Sequence, residues 1–232
     1  MKQNRKTVAV ILSAGSGSRM GGDVAKQRML LRGQSILYQT VHIFDRIDEI
    51  DQLILVVREE DMSFAEGIAK DCKKAVTVTL GGEDRQTSAY LGALAADGAD
   101  FVAIHDGARC LVTPDIIRET VKAAWHFGAA CAVGAVSDTV KRVGEDGTIL
   151  ETVPRDSLRF AQTPQVFRRD LYLSAVAYAK EHGIRVTDDA SLLEATGTPV
   201  LAVLNTEINQ KITYPEDVTL AEYVMKTREE HL

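Results

Sequence analysis

The feature that most constrains the fold is a repeated alternation of short apolar runs with segments of helical periodicity. The runs are rich in β-branched residues and lie at residues 7–12, 53–57, 75–80 and 101–104. Short continuous apolar runs of this kind are typical of strands that are buried on both faces. The pattern therefore predicts an α/β fold with a mostly parallel, doubly wound (Rossmann-like) sheet flanked by helices.

The segments between these runs carry the three-to-four spacing of amphipathic helices. One apolar stripe lies within residues 36–44 and another within residues 116–124. Thr113 followed by Pro114 predicts a helix start, because threonine caps free N–H groups and proline fits the first helical position. A second glycine pair, Gly81-Gly82, predicts a turn before a helix that begins near Thr87.

Composition places the chain among single-domain globular proteins. Its 232 residues are 45% apolar, enough for one sizeable core, so we expect one domain over residues 1–232. The apolar runs are far shorter than the ~20 residues that cross a bilayer, and the basic start lacks a signal-peptide pattern. A net charge of −6 argues against nucleic-acid binding. We expect a cytoplasmic protein that binds neither membranes nor nucleic acid.

The cysteine pattern points to no covalent or metal framework. Cys72, Cys110 and Cys131 are an odd number without CxxC or Cys/His ligand spacing, so neither disulfides nor a structural zinc site are indicated. Buried inert thiols are the expectation. Because Cys110 follows Arg109, and cationic neighbours lower the pKa of a thiol, a reactive Cys110 near bound anions is the alternative.

One region breaks the βα alternation and predicts a β-hairpin. Residues 139–143 and 148–153 alternate in polarity around an Asp-Gly turn at residues 144–147. A lone two-stranded hairpin is marginal in water, so this arm, at about residues 137–157, should pack on something. A partner subunit is one candidate, and the chain's own domain is the other.

The strongest chemical signal is the glycine-rich segment 12–22 directly after the first predicted strand. Its small residues let backbone N–H groups approach a polyphosphate, although a flexible surface loop has similar composition. Met20 stands where a dinucleotide fingerprint needs glycine, and a Walker A ending is absent. The cations near this segment outnumber the single acid Asp23, which suits phosphoryl or nucleotidyl transfer. They are Arg19, Lys26, Arg28 and Arg32, of which the last two are also ordinary surface residues.

A second polar segment follows the run at 101–104. It reads His105-Asp106-Gly107-Ala108-Arg109 and falls at the edge of the sheet where ligands bind in such folds. Asp106 is a candidate to face a metal or a substrate hydroxyl, and a turn-capping aspartate is the alternative. His105 is expected to be structural.

Eight segments, taken in order, resemble one family, and together they are far more specific than any one motif. They read Ala14-Gly15-Ser16-Gly17-Ser18-Arg19-Met20, Lys26-Gln27, Gly81-Gly82-Glu83-Asp84-Arg85, His105-Asp106-Gly107-Ala108-Arg109, Asp138-Thr139-Val140-Lys141-Arg142, Thr163-Pro164-Gln165, Thr187-Asp188-Asp189-Ala190-Ser191 and Asn209-Gln210-Lys211. Over nearly its whole length the chain resembles the 2-C-methyl-D-erythritol 4-phosphate cytidylyltransferases of the non-mevalonate isoprenoid pathway.

The resemblance implies that CMP is transferred from CTP to a methylerythritol phosphate, with Mg²⁺ as the metal and pyrophosphate as the leaving group. It also implies a homodimer in which the hairpin arm interlocks with that of a second subunit and helps to complete the acceptor site. Arg19 and Lys26 would stabilise the transition state at the α-phosphorus. Magnesium would contact Asp106, or else be held by the triphosphate alone.

The resemblance assigns the remaining residues to two substrate sites. Residues that match the acceptor site are Asp106, Arg109, Thr139, Arg155, Thr163 and Lys211, with Arg155 and Lys211 on the phosphate. Residues that match the nucleotide site are Ser13, Ala14, Gly15, Ser16, Gly17, Gly82, Glu83, Ser88 and Gly107.

The chain departs from the family pattern at Ala25, Arg28, Cys110 and Gln210, none of which is a proposed catalytic side chain. A related group uses ribitol 5-phosphate or another alditol phosphate on the same scaffold, and this acceptor is the alternative. A non-catalytic CTP-binding protein with the same fold is a further alternative.

Overall fold

The computed structural model describes residues 5–15 and 26–230. Its centre is a seven-stranded sheet with the order β11-β7-β10-β6-β1-β4-β5. The strands of the chain are β1 (Thr7–Leu12), β2 (Leu30–Leu31), β3 (Gln34–Ser35), β4 (Gln52–Val57), β5 (Ala75–Leu80), β6 (Phe101–Asp106), β7 (Ala129–Ala135), β8 (Val140–Val143), β9 (Ile149–Val153), β10 (Arg159–Arg168) and β11 (Leu201–Asn205). The four apolar runs correspond to β1, β4, β5 and β6, as the alternation predicts.

Helices connect the strands of this sheet. They are α1 (Ile36–Asp45), α2 (Met62–Lys70), α3 (Arg85–Ala95), α4 (Pro114–Phe127), α5 (Arg169–Glu181), α6 (Ala190–Ala195) and α7 (Pro215–Glu230). Short 3₁₀ turns lie at Lys26–Arg28, Glu59–Asp61 and Arg155–Ser157.

Side-chain caps fix where helices α1, α3 and α4 begin, and Ser35 accepts the N–H of Tyr38 at the start of α1. Thr113 accepts the N–H of Ile116 at the start of α4, as the Thr-Pro pair predicts. Helix α3 begins at Arg85, ahead of the expected start near Thr87, because the carboxylate of Asp84 accepts the N–H of Thr87 at 2.7 Å. Capping by Asp84 therefore corrects the sequence-based boundary.

Strand directions confirm a mostly parallel, doubly wound sheet. Strands β1, β4, β5 and β6 run parallel to their neighbours within this group, and β11 runs parallel to β7. Strand β10 is the exception, since it lies antiparallel between β6 and β7. The carboxyl ends of β1, β4, β5 and β6 consequently meet at one edge of the sheet, where loops are free to carry ligand-binding groups.

Both faces of the sheet are covered, and β1 shows how. Ala9 and Ile11 pack in a core that includes side chains of α1, α2 and α4, whereas Val8 and Val10 face a second core with α3, α5 and α6. All four residues have no solvent exposure. Burial on both faces explains why the strand is a continuous apolar run rather than an alternating one.

Strands β8 and β9 form a separate two-stranded antiparallel sheet. Gly147 adopts a left-handed conformation with φ of +81° in the connecting turn, where glycine is tolerated. Val143, Ile149 and Leu150 expose more than half of their surface. The use of this hairpin, at about residues 137–157, as a dimerisation arm stays a prediction.

Across the described ranges, no helix combines the length and the apolar character that a bilayer span requires.

Candidate active site

The nucleotide-binding candidates within the described residues meet at the carboxyl edge of the sheet. Ala14 follows β1 and lies against Gly81, where an added Cβ would overlap the Ala14 side chain and come within 2.8 Å of Ser88 Oγ. Gly107 follows β6 and donates its N–H to Leu12 O at 2.8 Å. A Cβ on Gly107 would lie 2.9 Å from that same carbonyl oxygen. Small residues are therefore required here for close backbone packing. We call the surface formed by Ala14, Gly81 and Gly107 the nucleotide floor.

The glycine pair after β5 does not direct its N–H groups at a ligand in this state. Gly81 donates to Val57 O at 2.8 Å, and Gly82 donates to Ser88 Oγ at 3.1 Å. Both donors are therefore engaged within the chain, and the pair lies in the connection between β5 and α3, where the sequence predicts a turn. Ser13 Oγ, by contrast, is buried without a hydrogen-bond partner among the described residues.

Part of the predicted site falls outside the described residues. This part comprises Ser16, Gly17, Arg19 and the side chain of Lys26. The backbone of Lys26 begins the turn Lys26–Arg28, and the next two residues anchor this turn. Gln27 Nε2 and Arg28 Nε donate to the buried carboxylate of Asp61 at 2.6 and 2.7 Å. The turn that carries Lys26 is thereby fixed beside the end of β4.

Arg28 and Arg32 do not remain free for phosphate binding. The guanidinium of Arg28 lies 5.2 Å from the centre of the Phe64 ring while its Nε pairs with Asp61. Arg32 forms an ion pair with Glu229 at 2.8 Å. Both residues are thus ion-paired within the chain, Arg28 at a partly buried position and Arg32 at an exposed one, and their place in a basic loop stays a prediction.

Asp106 is the electrostatic centre of the edge, because three cations contact its carboxylate. Arg85 Nε lies 3.3 Å from Oδ1, while Arg109 Nε and Lys211 Nζ lie 3.2 and 3.1 Å from Oδ2. Burial alone would raise the pKa of Asp106, but Lys211, Arg85 and Arg109 together hold it well below its usual range. Asp106 is therefore ionised, and both of its oxygens are engaged by cations.

The cations around Asp106 argue against the hypothesis that Asp106 binds magnesium. A magnesium site needs hard oxygen ligands with free lone pairs facing the ion. Three cations already surround this carboxylate, and they would repel a divalent ion. The geometry disfavours Asp106 as a metal ligand and supports its role in holding cations.

Arg85 links Asp106 to a second buried carboxylate. Its Nη1 lies 2.7 Å from Asp189 Oδ2, and Asp189 also accepts the Tyr172 hydroxyl at 3.0 Å. Burial raises the pKa of Asp189, and Arg85 opposes that rise. Gln165 Oε1 accepts the N–H of Asp189 at 3.0 Å, which fixes this segment against β10.

Sequence reasoning gave no role to Arg85, Asp189 or Gln165, although all three stand inside quoted motifs. The available signals were an arginine three residues after a glycine pair and an acidic pair, Asp188-Asp189, far along the chain. Neither signal shows which charges pair.

Thr163 and His105 form an uncharged support under Asp106. Thr163 Oγ1 lies 2.9 Å from His105 Nδ1 and accepts the N–H of Asp106 at 3.1 Å. Burial lowers the pKa of His105 to about 3, so the ring is neutral. Asn209 adds a third support, because its side-chain amide donates to Thr163 O and its carbonyl accepts from Arg109, both at 2.9 Å. His105 is thus structural, as expected, and the Thr163 hydroxyl is already hydrogen-bonded.

A cavity of about 450 Å³ opens above this cluster. Four of the predicted acceptor-site residues line it, namely Asp106, Arg109, Thr163 and Lys211. Arg85 and Gln162 also line it, which adds a cation and an amide to the walls. The lining also includes the carboxylates of Asp188 and Glu194. The three cations held around Asp106 are the groups that suit a phosphorylated ligand.

Two predicted acceptor-site residues lie elsewhere. Thr139 and Arg155 are exposed near the ends of the hairpin, and neither lines the cavity. The Arg155 side chain donates instead to Ser137 O. The expectation that Arg155 and Lys211 grip one phosphate is therefore not met within a single chain.

Cys110 is not a reactive thiol. Its side chain is buried, and burial raises the pKa of the thiol to about 12. A thiol with so high a pKa is protonated at neutral pH, which excludes the proposed reactivity near bound anions.

Comparison with known proteins places this site in context. The model of the 2-C-methyl-D-erythritol 4-phosphate cytidylyltransferase (IspD) family matches residues 7–227. The enzyme of that name from Desulforamulus reducens is 42% identical over 225 residues, covering 95% of this chain and 96% of the relative. The Pelotomaculum thermopropionicum enzyme is 38% identical, with 98% and 97% coverage.

Solved structures agree with the sequence comparisons. The structure of 4-diphosphocytidyl-2C-methyl-D-erythritol synthase from Anaerococcus prevotii superposes with a TM-score of 0.87 at 28% identity and covers 96% of each chain. The 2-C-methyl-D-erythritol 4-phosphate cytidylyltransferase from Thermus thermophilus superposes with a TM-score of 0.78 at 28% identity, covering 94% of this chain and 98% of its own.

The pairing of Arg85 with Asp189 predicts a large stability effect for Arg85→Met. This change leaves the buried Asp189 carboxylate without its cation and should lower the free energy of unfolding by about 3 kcal/mol. This value is at the low end of the losses found when a buried ion pair is broken, because Arg85 is partly exposed. Lys226→Met, which breaks an exposed pair with Glu230, should cost less than about 1 kcal/mol. Urea unfolding at fixed protein concentration measures both.

The pH dependence of this loss is a second readout of the same variant. The pKa of Asp189 is raised in the folded state, and loss of Arg85 would raise it further. Protonation of Asp189 removes the need for a cation, so the difference between Arg85→Met and wild type should shrink as the pH falls. Equal losses for the two variants at neutral pH would show that the Arg85 pair is not structural.

Proposed function

This chain belongs to the 2-C-methyl-D-erythritol 4-phosphate cytidylyltransferase family, and we propose that the cationic edge around Asp106 carries that family's reaction. The enzyme transfers CMP from CTP to 2-C-methyl-D-erythritol 4-phosphate in the non-mevalonate pathway to isoprenoid precursors. The products are 4-(cytidine 5′-diphospho)-2-C-methyl-D-erythritol and pyrophosphate. The supporting observation is the cluster of Arg85, Arg109 and Lys211 on one buried carboxylate beside the glycine-lined nucleotide floor.

In the proposed reaction an oxygen of the acceptor phosphate attacks the α-phosphorus of CTP, and the bond to the β-phosphate oxygen breaks. The acceptor oxygen is already ionised at neutral pH, so no general base is needed. The task of the protein is to position two anions and to stabilise the negative charge of the transition state. We assign stabilisation of the transition-state charge to Arg19 and Lys26, on the basis of the family resemblance.

Lys211 is our candidate for the acceptor phosphate. Its ammonium group contacts Asp106 and keeps about a third of its side chain exposed at the cavity. Asp106 holds this ammonium group in place before substrate arrives, which reduces the reorganisation needed during the reaction. Arg109 is held by Asp106 and by Asn209 O, so it is a positioned cation in the same wall.

Magnesium is part of the proposal, bound through the triphosphate of CTP. Three carboxylates among the described residues line the cavity. Asp106 is engaged by cations, Asp188 accepts hydrogen bonds from Gln165 and Ser191, and Glu194 is the third. When bound, the ion would neutralise charge on the pyrophosphate leaving group. Removal of Mg²⁺ with EDTA should therefore abolish turnover in the assay below.

We further propose a homodimer in which the hairpin of one subunit completes the acceptor site of the other. Exposed Val143, Ile149 and Leu150 give the hairpin an apolar surface without a packing partner inside the chain's main cores. Thr139 and Arg155 lie on this element and away from their own chain's cavity, and a second subunit would restore the full acceptor site.

We also propose that the enzyme acts in the cytoplasm, because its substrate CTP is a cytoplasmic metabolite.

The direct test is pyrophosphate release from CTP and Mg²⁺ with 2-C-methyl-D-erythritol 4-phosphate or ribitol 5-phosphate as acceptor. We expect release with the first acceptor and a loss of about 10²- to 10³-fold in kcat for Lys26→Ala, as for removal of one charge-stabilising donor. Arg32→Ala is the matched control, since Arg32 pairs with Glu229 and should retain near wild-type activity. Release with ribitol 5-phosphate alone would assign the alditol acceptor, and CTP binding without turnover would assign a binding protein.

Subunit mixing tests the shared site. We expect Lys26→Ala and Arg155→Ala chains to be nearly inactive alone, whereas a mixture re-equilibrated after dissociation should recover about a quarter of wild-type activity. Random re-association makes half of all dimers heterodimers, with one chain of each variant. In each heterodimer one of the two sites has both Lys26 and Arg155 intact, so a quarter of all sites are active. No recovery in verified mixed dimers would mean that Arg155 acts in its own chain, and full activity of Arg155→Ala alone would mean that Arg155 takes no part.

A further inference from the structure

A cluster of metal-binding side chains lies at the end of α1, outside the site described above. His42 and Asp45 are three residues apart on α1, and Cys72 follows the end of α2. A ring nitrogen of His42, a carboxylate oxygen of Asp45 and the Cys72 sulfur all lie within 4.8 Å of one another. One ion can therefore be reached by all three side chains after small rotamer adjustments.

The carboxylate of Asp45 is held in place by the backbone. Its Oδ1 accepts the N–H of Lys73 and of Lys74 at 3.1 and 2.9 Å, and its Oδ2 accepts the N–H of Lys73 at 3.0 Å. A carboxylate has about four lone-pair positions, so Oδ2 keeps capacity for an ion. Hydrogen bonds that orient a ligating carboxylate are a regular feature of protein metal sites.

His42 is a neutral ligand with a vacant nitrogen. Its Nε2 is buried and has no hydrogen-bond partner among the described residues. Burial lowers the pKa of His42, which favours the uncharged imidazole that binds metals. A buried nitrogen without a partner costs free energy, and coordination would remove that cost.

Cys72 supplies the soft ligand. It is half-buried, and its sulfur donates weakly to Ile68 O at 3.5 Å. Burial raises the pKa of the thiol to about 11, so the thiol keeps its proton until a metal displaces it.

The cluster and the proposed reaction site lie at opposite ends of the parallel strands. Cys72 precedes β5 and Asp45 ends α1, so both lie near the amino ends of the parallel strands. Asp106 ends β6 and lies at the carboxyl ends. Substitutions at His42 or Cys72 should therefore leave the Asp106 site intact.

We propose that His42, Asp45 and Cys72 form a binding site for one zinc-class divalent cation. The ligand set of imidazole nitrogen, carboxylate oxygen and thiolate sulfur is one that Zn²⁺ takes in tetrahedral sites, and water fills the fourth position. Binding replaces the thiol proton by the metal and releases that proton to solvent. Magnesium does not compete, because it avoids thiolate and requires oxygen ligands.

Sequence spacing alone does not indicate this site, since His42 and Cys72 are thirty residues apart in the chain and lack a local motif. The packing of α2 beside α1 brings them together. An ion here would join the end of α1 to the turn before β5, and it would stabilise the fold by mass action.

The test is titration of the untagged, metal-free, reduced full chain with Co²⁺, followed by Zn²⁺. We expect a thiolate-to-cobalt charge-transfer band and visible bands of four-coordinate cobalt, saturating at one equivalent. Added Zn²⁺ should bleach these bands, and Mg²⁺ in excess should not. Cys72→Ser should lose the charge-transfer band, and its Zn²⁺ affinity should fall by more than the roughly 10- to 100-fold cost of losing an outer-shell partner.

Cys131→Ser is the matched control, because Cys131 is a buried thiol on β7 outside the cluster, and it should keep the wild-type spectrum. His42→Gln should weaken Co²⁺ binding while the thiolate band persists at higher Co²⁺. Absence of the band in wild type, or its retention in Cys72→Ser, would overturn the proposal. Turnover of CTP with Mg²⁺ should be unchanged in Cys72→Ser, so this outcome is independent of the proposed reaction.

Discussion

The structure depends on one buried carboxylate that holds three cations at the edge of the sheet. Asp106 ends β6, and its partners come from the start of α3, from the loop after β6 and from a segment near α7. A buried charge is costly unless it is paired and hydrogen-bonded. The need to satisfy Asp106 therefore ties two distant segments to the end of β6, and the same need fixes positive charge at the cavity where phosphates are proposed to meet.

The rest of the fold delivers and supports this carboxylate. Strand β6 is fully buried between β1 and β10, so Asp106 emerges at a defined height at the carboxyl edge. The neutral network of His105, Thr163 and Asn209 then fixes its backbone from below. Because these supports carry no charge, they do not neutralise the cations, and Asn209 O helps to hold Arg109 in place. Positive charge that is positioned before substrate binds is the main means by which a protein stabilises an anionic transition state.

The sequence was most informative where local pattern determines structure. The runs at 7–12, 53–57, 75–80 and 101–104 are strands because strand propensity and apolar patterning are local properties of the sequence. Three of them are buried, whereas β5 is a partly exposed edge strand. The position of the loop after β6 at the carboxyl edge follows from strand direction. The pairing of charges was not recoverable: Arg85 and Asp189 are far apart in sequence, and nothing local states that they meet. No local pattern indicates the separation of Arg155 from Lys211 either; only the family resemblance does, because it implies an arm that helps to complete the acceptor site of a second subunit.

The central claim is that Asp106 acts by holding Lys211 and its neighbouring cations in position. A double-mutant cycle of Asp106→Asn and Lys211→Met, read as kcat/KM for the acceptor in folded variants, tests it most directly. The account predicts strong non-additivity, with the double variant little worse than the more damaging single variant and a coupling of about 1–3 kcal/mol. Losses that simply add would contradict the account, because they would mean that Asp106 and Lys211 serve the reaction independently.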